Sequence, residues 1–123
     1  MPSASLFSRY TVLTSSARTA TGQQELQATN DYGNVAILVN VTAVSGTTPT
    51  MRLSIEDSPD GTTWFPVATA PADITAAGQH RIFITHSTHG PTNPRLRLRW
   101  VIGGTTPSFT FTATAISRPS FLG

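Results

Sequence analysis

Short runs of alternating apolar and polar residues, cut apart by turn residues, predict an all-β chain: one antiparallel β-sandwich or jelly roll of about seven or eight short strands over residues 1–123. Three observations carry this. Arg95 to Ile102 sets Leu96, Leu98, Trp100 and Ile102 on one face against Arg95, Arg97 and Arg99, and Ser108 to Ile116 sets Phe109, Phe111, Ala113 and Ala115 against Thr110, Thr112 and Thr114. Helix signals are nearly absent; the best candidate, Gly22 to Thr29, is short and reads as a strand. The phrase Gly-Thr-Thr-Pro occurs twice, at Gly46 to Pro49 and Gly104 to Pro107, each time between two alternating runs. Such a phrase supplies a residue free to take positive φ and then a rigid, extended restart, so both copies are expected to be hairpin loops.

The elements follow in order. Tyr10 to Thr14 and Gly22 to Thr29 are the first candidates. Asn34 to Val44 is dense in β-branched residues and too apolar on both faces for an edge, so it belongs in the centre of a sheet. Met51 to Glu56 points Met51, Leu53 and Ile55 inward and Arg52, Ser54 and Glu56 outward, and is expected to pair back across the first loop. Ser58-Pro59-Asp60-Gly61 has the chemistry of a tight turn: proline presets φ, aspartate caps, glycine takes the left-handed conformation. Trp64 to Thr69 and Gln79 to Thr85 are short strands, the second with Ile82 and Ile84 on one side. Arg95 to Ile102 buries Leu96, Leu98, Trp100 and Ile102 and turns out Arg95, Arg97 and Arg99. Ser108 to Ile116 buries Phe109, Phe111, Ala113 and Ala115, and its aromatics are placed to meet Trp100.

Composition narrows the function. No apolar run approaches the roughly 20 residues of a membrane helix, and Met1 to Tyr10 lacks the continuous apolar stretch of a secretory signal. The chain has no cysteine, which excludes disulfides, thiolate metal sites and thiol catalysis. It also has no lysine: its eight basic residues are all arginine, and a net charge of +2 creates little field for drawing in nucleic acid. Charged residues make up only 11%, well below the usual ~25%. Threonine, serine, alanine and glycine take their place, a surface suited to being covered by other protein.

Candidate chemistry is sparse. His86 and His89, with Asp73 as a third ligand, have the residue types of a metal site, but the pair sits in a loop that anchors it weakly, and solvent-facing histidines are the better reading; His80 stands apart. Glu56, Asp57 and Asp60 gather carboxylates as a calcium loop does, yet the same residues are what the turn requires. No serine lies in a nucleophile elbow, and there is no phosphate loop or dinucleotide fingerprint. No catalytic, cofactor or metal site is expected, and the protein is not expected to be an enzyme. Arg95, Arg97 and Arg99 are the sharpest candidates. They stand in a row about 13 Å long that either binds a partner's carboxylates or pairs within the chain with Glu56 and Asp57.

An apolar strand, Gly-Thr-Thr-Pro, an alternating strand ending in Ser-Pro-Asp-Gly-Thr-Thr-Trp, and an arginine-rich strand running into Gly-Gly-Thr-Thr-Pro-Ser-Phe-Thr-Phe together resemble small β-sandwich virion proteins of tailed bacteriophages, over Val35 to Ile116. The resemblance implies a head decoration (cement) protein on the capsid surface. Its partners would be the major capsid protein or other virion proteins, and it would act as a homo-oligomer, a trimer in first place. A tail or head-completion component is the alternative within that setting. The Asp-Gly-x-x-Trp element also occurs in carbohydrate-binding sandwiches, where an exposed Trp64 would stack on sugar; in this chain Trp64 is expected to cap the core instead. Extended termini, 1–8 and 117–123, carry the apolar anchors Leu6, Phe7, Phe121 and Leu122, expected to order against neighbouring chains.

Overall fold

Two very long strands organise the chain. The computed structural model describes residues 8–26, 34–89 and 93–118. Its elements are β1 (Ser8–Arg18), β2 (Gly22–Glu25), β3 (Asn34–Ser58), β4 (Phe65–Thr69), β5 (Gly78–Thr85), a single helical turn α1 (His86–His89) and β6 (Arg95–Arg118). β3 and β6 pair antiparallel along nearly their whole length, from Asn34↔Arg118 to Ser58↔Arg95. β1 and β6 run to Ser8 and Arg118, so Ser8 and Ser117, assigned above to the termini, pair with each other. Leu6, Phe7, Phe121 and Leu122 lie outside the described residues.

This pairing corrects the hairpin expectation: four of the expected short strands are halves of two long ones. In a hairpin Val44 and Met51 would face each other; instead Val44 is opposite Phe109 and Met51 opposite Ile102. The two Gly-Thr-Thr-Pro segments oppose one another in the middle of one long ribbon, with register shifts between Ser45 and Thr47 and between Thr47 and Thr50. Alternation on either side of a glycine-proline break fits a hairpin and a bent strand equally well; only the partner across the ladder distinguishes them.

The break is a corner. Trp100 and Phe111 meet edge to face, with ring centroids 5.7 Å apart, although a straight strand would separate residues at this spacing by about 36 Å. β6 therefore folds back on itself, and β3 with it. One layer is β1, residues 108–118 of β6, residues 34–45 of β3, and β5; the other is β2, residues 95–103 of β6, residues 50–58 of β3, and β4. Strands that switch sheets through a bend are how such a sandwich makes its corners.

The two copies of the phrase build the corner by near two-fold symmetry. Gly46 and Gly104 have φ of 113° and 111°, and Thr48 and Thr106 have φ of 47° and 46°. A Cβ on Gly46 would lie 2.7 Å from the Thr106 carbonyl oxygen, and one on Gly104 the same 2.7 Å from that of Thr48. Glycine is required at both positions because each backbone packs directly on the other. Left-handed φ at a β-branched threonine costs energy, and each such threonine donates its hydroxyl to the preceding carbonyl at 2.8 Å.

The inner faces are as the alternation predicts. Val35, Ile37, Val39, Val41, Met51, Leu53 and Ile55 of β3, Ile82 and Ile84 of β5, and Leu96, Leu98, Phe109 and Phe111 of β6 are all buried. Each such side chain contributes roughly 1.5–3 kcal/mol by leaving water. β3 is central in both layers, flanked by β6 and either β5 or β4.

Candidate interaction surfaces

The outer face of the second layer holds the arginine row, and strand register decides what each arginine meets. Gln24 opposite Leu98 and Glu25 opposite Arg97 bring Glu25 beside the row from β2. Arg95 donates from Nε and Nη2 to the two Glu25 carboxylate oxygens, both at 2.7 Å, in a fork-to-fork pair. Its Nη1 donates to the Asp60 carbonyl at 3.3 Å, and a side chain on Gly61 would fall onto this guanidinium. The arginine thus holds the turn down on the sheet. Hydrogen bonds and the charge of Arg95 hold the Glu25 carboxyl below the usual carboxylate range, and raise Arg95 in return.

Arg97 is the most enclosed member. Its Nε donates to Glu56 Oε1 at 2.7 Å, and the two side chains are only 15% and 14% exposed. Its guanidinium lies 4.3 Å from the centroid of the Trp64 ring, whose Nε1 donates to the Gly61 carbonyl at 3.2 Å. Trp64 accordingly packs on the outer face against Arg97, not as a cap on the core. The turn beneath it is built as its residues dictate. Ser58 Oγ accepts from the Asp60 and Gly61 N–H groups, Asp60 Oδ1 accepts from Thr62 and Thr63, and Gly61 has φ of 81°. Those backbone donors hold the Asp60 carboxyl below its ordinary value.

Asp57 departs from expectation. It points inward, 6% exposed, and accepts the Asn93 N–H at 2.8 Å. Adjacent strand residues face opposite sides, so Glu56 and Asp57 cannot both meet the arginine row. Glu25, which takes the place expected for Asp57, carries no local signal; only the β2 register reveals it. Arg52 pairs with Asp73 at 2.8 Å. The Arg99 guanidinium makes no hydrogen bond or ion pair with any described residue. Two residues on, Val101 is 45% exposed.

The outer face of the first layer is poor in charge. A shallow groove of ≈ 630 Å³ runs over Leu38, Asn40, Gln79, Arg81, Thr112 and Thr114. The Arg81 guanidinium has no hydrogen-bond or ion-pair partner among the described residues, and Phe83, also two residues on, is 53% exposed. Between the layers, Arg18 of β1 reaches over Phe111 and Trp100, 4.8 and 5.5 Å from their ring centroids.

Of the metal-ligand candidates, Asp73 is engaged by Arg52, and His89 Nδ1 accepts the Thr85 N–H at 3.1 Å. The His86 side chain is outside the described part of the structure. Among the described residues no three His, Asp or Glu side chains gather as a metal site, and no helix is long and apolar enough to cross a membrane.

No protein-family model matches the sequence, and no curated protein matches it. Solved structures do match in fold. The PBSX exported protein XepA superposes with a TM-score of 0.63 at 15% identity, over 91% of this chain and 37% of that one. VP2 of the infectious bursal disease virus subviral particle gives 0.54 at 12% identity, over 93% and 33%. A protein of the disulfide-linked pili of Bacillus endospore appendages gives 0.51 at 13%, over 93% and 89%. The chain thus spans about a third of the length of XepA and VP2. At these identities the likeness establishes a shared fold, the all-β sandwich.

Proposed function

We propose that the protein is a structural component of a tailed-phage particle and acts as a capsid decoration protein, binding the outside of the shell by adhesive contacts. The observation that carries this reading is a pattern repeated on both outer faces. Arg99 beside exposed Val101, and Arg81 beside exposed Phe83, are arginines with no carboxylate partner among the described residues, each next to an exposed apolar side chain. Arginine and aromatic residues are what protein interfaces concentrate, and a desolvated arginine finds its carboxylate on the partner. Arg95 and Arg97 are already satisfied within the chain, so Arg99 is the member of the row that this reading assigns to a partner. The fold shared with VP2 of a viral particle supports a virion setting.

Adhesion of this kind stabilises a shell through effective concentration: a protein bridging several subunits makes the loss of any one of them intramolecularly reversible. The terminal anchors Leu6, Phe7, Phe121 and Leu122 belong to the same proposal as further partner contacts. A glycan-binding role is disfavoured by the position of Trp64, because Arg97 covers one face of the ring that a sugar would stack on.

The test is electron microscopy of the intact particle together with an Arg99→Ala chain. Density for the protein on the outer capsid surface, and loss of Arg99→Ala copies from particles at a salt concentration that retains the unaltered protein, are the expected results. Density in the tail or at the head-tail junction would instead assign it to the alternative role. Equal retention of the variant would remove Arg99 from the interface.

A further inference from the structure

Among the described residues the sandwich has four outer strand edges, and three of them carry devices that discourage pairing with another chain. β1 is broken by register shifts between Thr11 and Leu13 and between Leu13 and Ser16. β2 is four residues long. β4 is five residues long, contains Pro66, and sits opposite a register shift in β3. Bulges, shortness and proline are the usual ways an edge is kept from recruiting a strand. β5 has none of them. Its eight residues pair with β3 from Asn34↔Thr85 to Val41↔Gly78 in unbroken register, without proline.

The free side of β5 is also open and correctly oriented. The Thr85 N–H is bonded to His89 Nδ1 rather than to β3, so the N–H and C=O groups of Gln79, Arg81 and Phe83, which share its parity, point away from β3 as well. Among the described residues no other element pairs with them. Alongside lies a groove of ≈ 460 Å³ whose lining includes Val67, Ala68 and Ala70 on one side and Arg81 and Phe83 on the other.

We propose that β5 is a self-association edge, occupied by β5 of a second copy in an antiparallel, two-fold pair centred on Ile82. The sequence of the strand is self-complementary in that register. Arg81 stands opposite Phe83 of the second copy, and the reverse, so the outer face carries two cross-strand cation-π pairs, and the main chains of these residues bond reciprocally. On the inner side Ile82 meets its own mate. Centring on Arg81 would set two guanidinium groups face to face. Centring on Phe83 would set Arg81 against Thr85, whose N–H already belongs to His89. A second copy therefore satisfies the edge in one register better than in its neighbours. The contact is isologous and closes at two copies, unlike the trimer expected from sequence. It does not depend on the virion reading; in such a dimer Arg81 and Phe83 face the second copy, and Arg99 beside Val101 is left for any other partner.

The chain has no cysteine, which makes cross-linking a clean test. Arg81→Cys and Phe83→Cys are prepared separately, at positions exposed in the folded chain, and far-UV circular dichroism confirms that each is folded. Under mild oxidation an equimolar mixture is expected to give a covalent dimer at least fivefold more abundant than either variant alone, because only 81 and 83 oppose each other. Sedimentation of the unaltered protein should show a concentration-dependent dimer, and Phe83→Pro, which removes an outward N–H and leaves the β3 ladder intact, should be monomeric with an unchanged spectrum. A protein that stays monomeric at all concentrations would overturn the proposal. So would equal cross-linking of mixed and single variants, or a Phe83→Pro chain that is folded and still dimeric.

Discussion

The two outer faces of the sandwich are built from the same two strands yet use charge in opposite ways. On the second layer, Arg52, Arg95 and Arg97 are each tied to Asp73, Glu25 or Glu56, and Trp64 and the Asp60-Gly61 turn are laid over them. On the first layer, threonines and half-buried aliphatic residues surround Arg81, which has no described partner, and an open Phe83. The difference teaches that a row of like charges on a strand is no measure of what it offers to a partner. The arginines that dominate the sequence pattern mostly hold the protein's own turn and edge strand in place, and the free cations stand at the end of the row and on the other face.

The contrast depends on the corner that separates the layers, so the largest effect is expected there. Gly104→Ala puts a Cβ against the Thr48 carbonyl at a φ of 111°, and should cost at least ~2 kcal/mol. Both layers share β3 and β6, so chemical denaturation should remain a single transition with a lower midpoint; two separated transitions would break the picture of one ribbon.

Arg97→Met comes next. It strands Glu56 in a mostly buried site and uncovers Trp64, for a loss of about 2–3 kcal/mol with a change in tryptophan emission. A loss no larger than a surface substitution gives would mean that the pair is solvated and that the two faces are more alike than described.

The smallest effect is on acid stability. Glu25 and Asp60 titrate below their unfolded values, so the stability they contribute is complete above the ordinary carboxylate range, near pH 4, and is lost as pH falls through their lower folded values. Glu25→Gln should therefore be compared with the unaltered chain in acid titrations: the unaltered chain is expected to be the more stable of the two at neutral pH, with the difference closing below about pH 4. A difference that persists unchanged in acid would assign the contribution of Glu25 to its packing rather than its charge. Both groups are exposed, so the shift should be modest.

Much of this was legible in the residues. Every inward position on 51–56, 82–84, 96–100 and 109–115 follows from period-two alternation, because a strand has only two faces and one must be dry. The tight turn at Ser58 to Gly61 was legible for the same kind of local reason: its backbone donors are satisfied by side chains two or three residues away. The strandedness of the chain, its inner faces and its turn chemistry were thus determined by the sequence alone. What only the tertiary structure decided is what lies opposite what. The Gly-Thr-Thr-Pro phrases read as hairpins because a local pattern cannot reveal that the partner of Val44 is Phe109. Likewise Glu25 meets Arg95 through register between strands 70 residues apart, and the Arg99 side chain finds no carboxylate among the described residues. Pairing over that distance is chosen by the packing of the whole core, and no neighbouring residue records it.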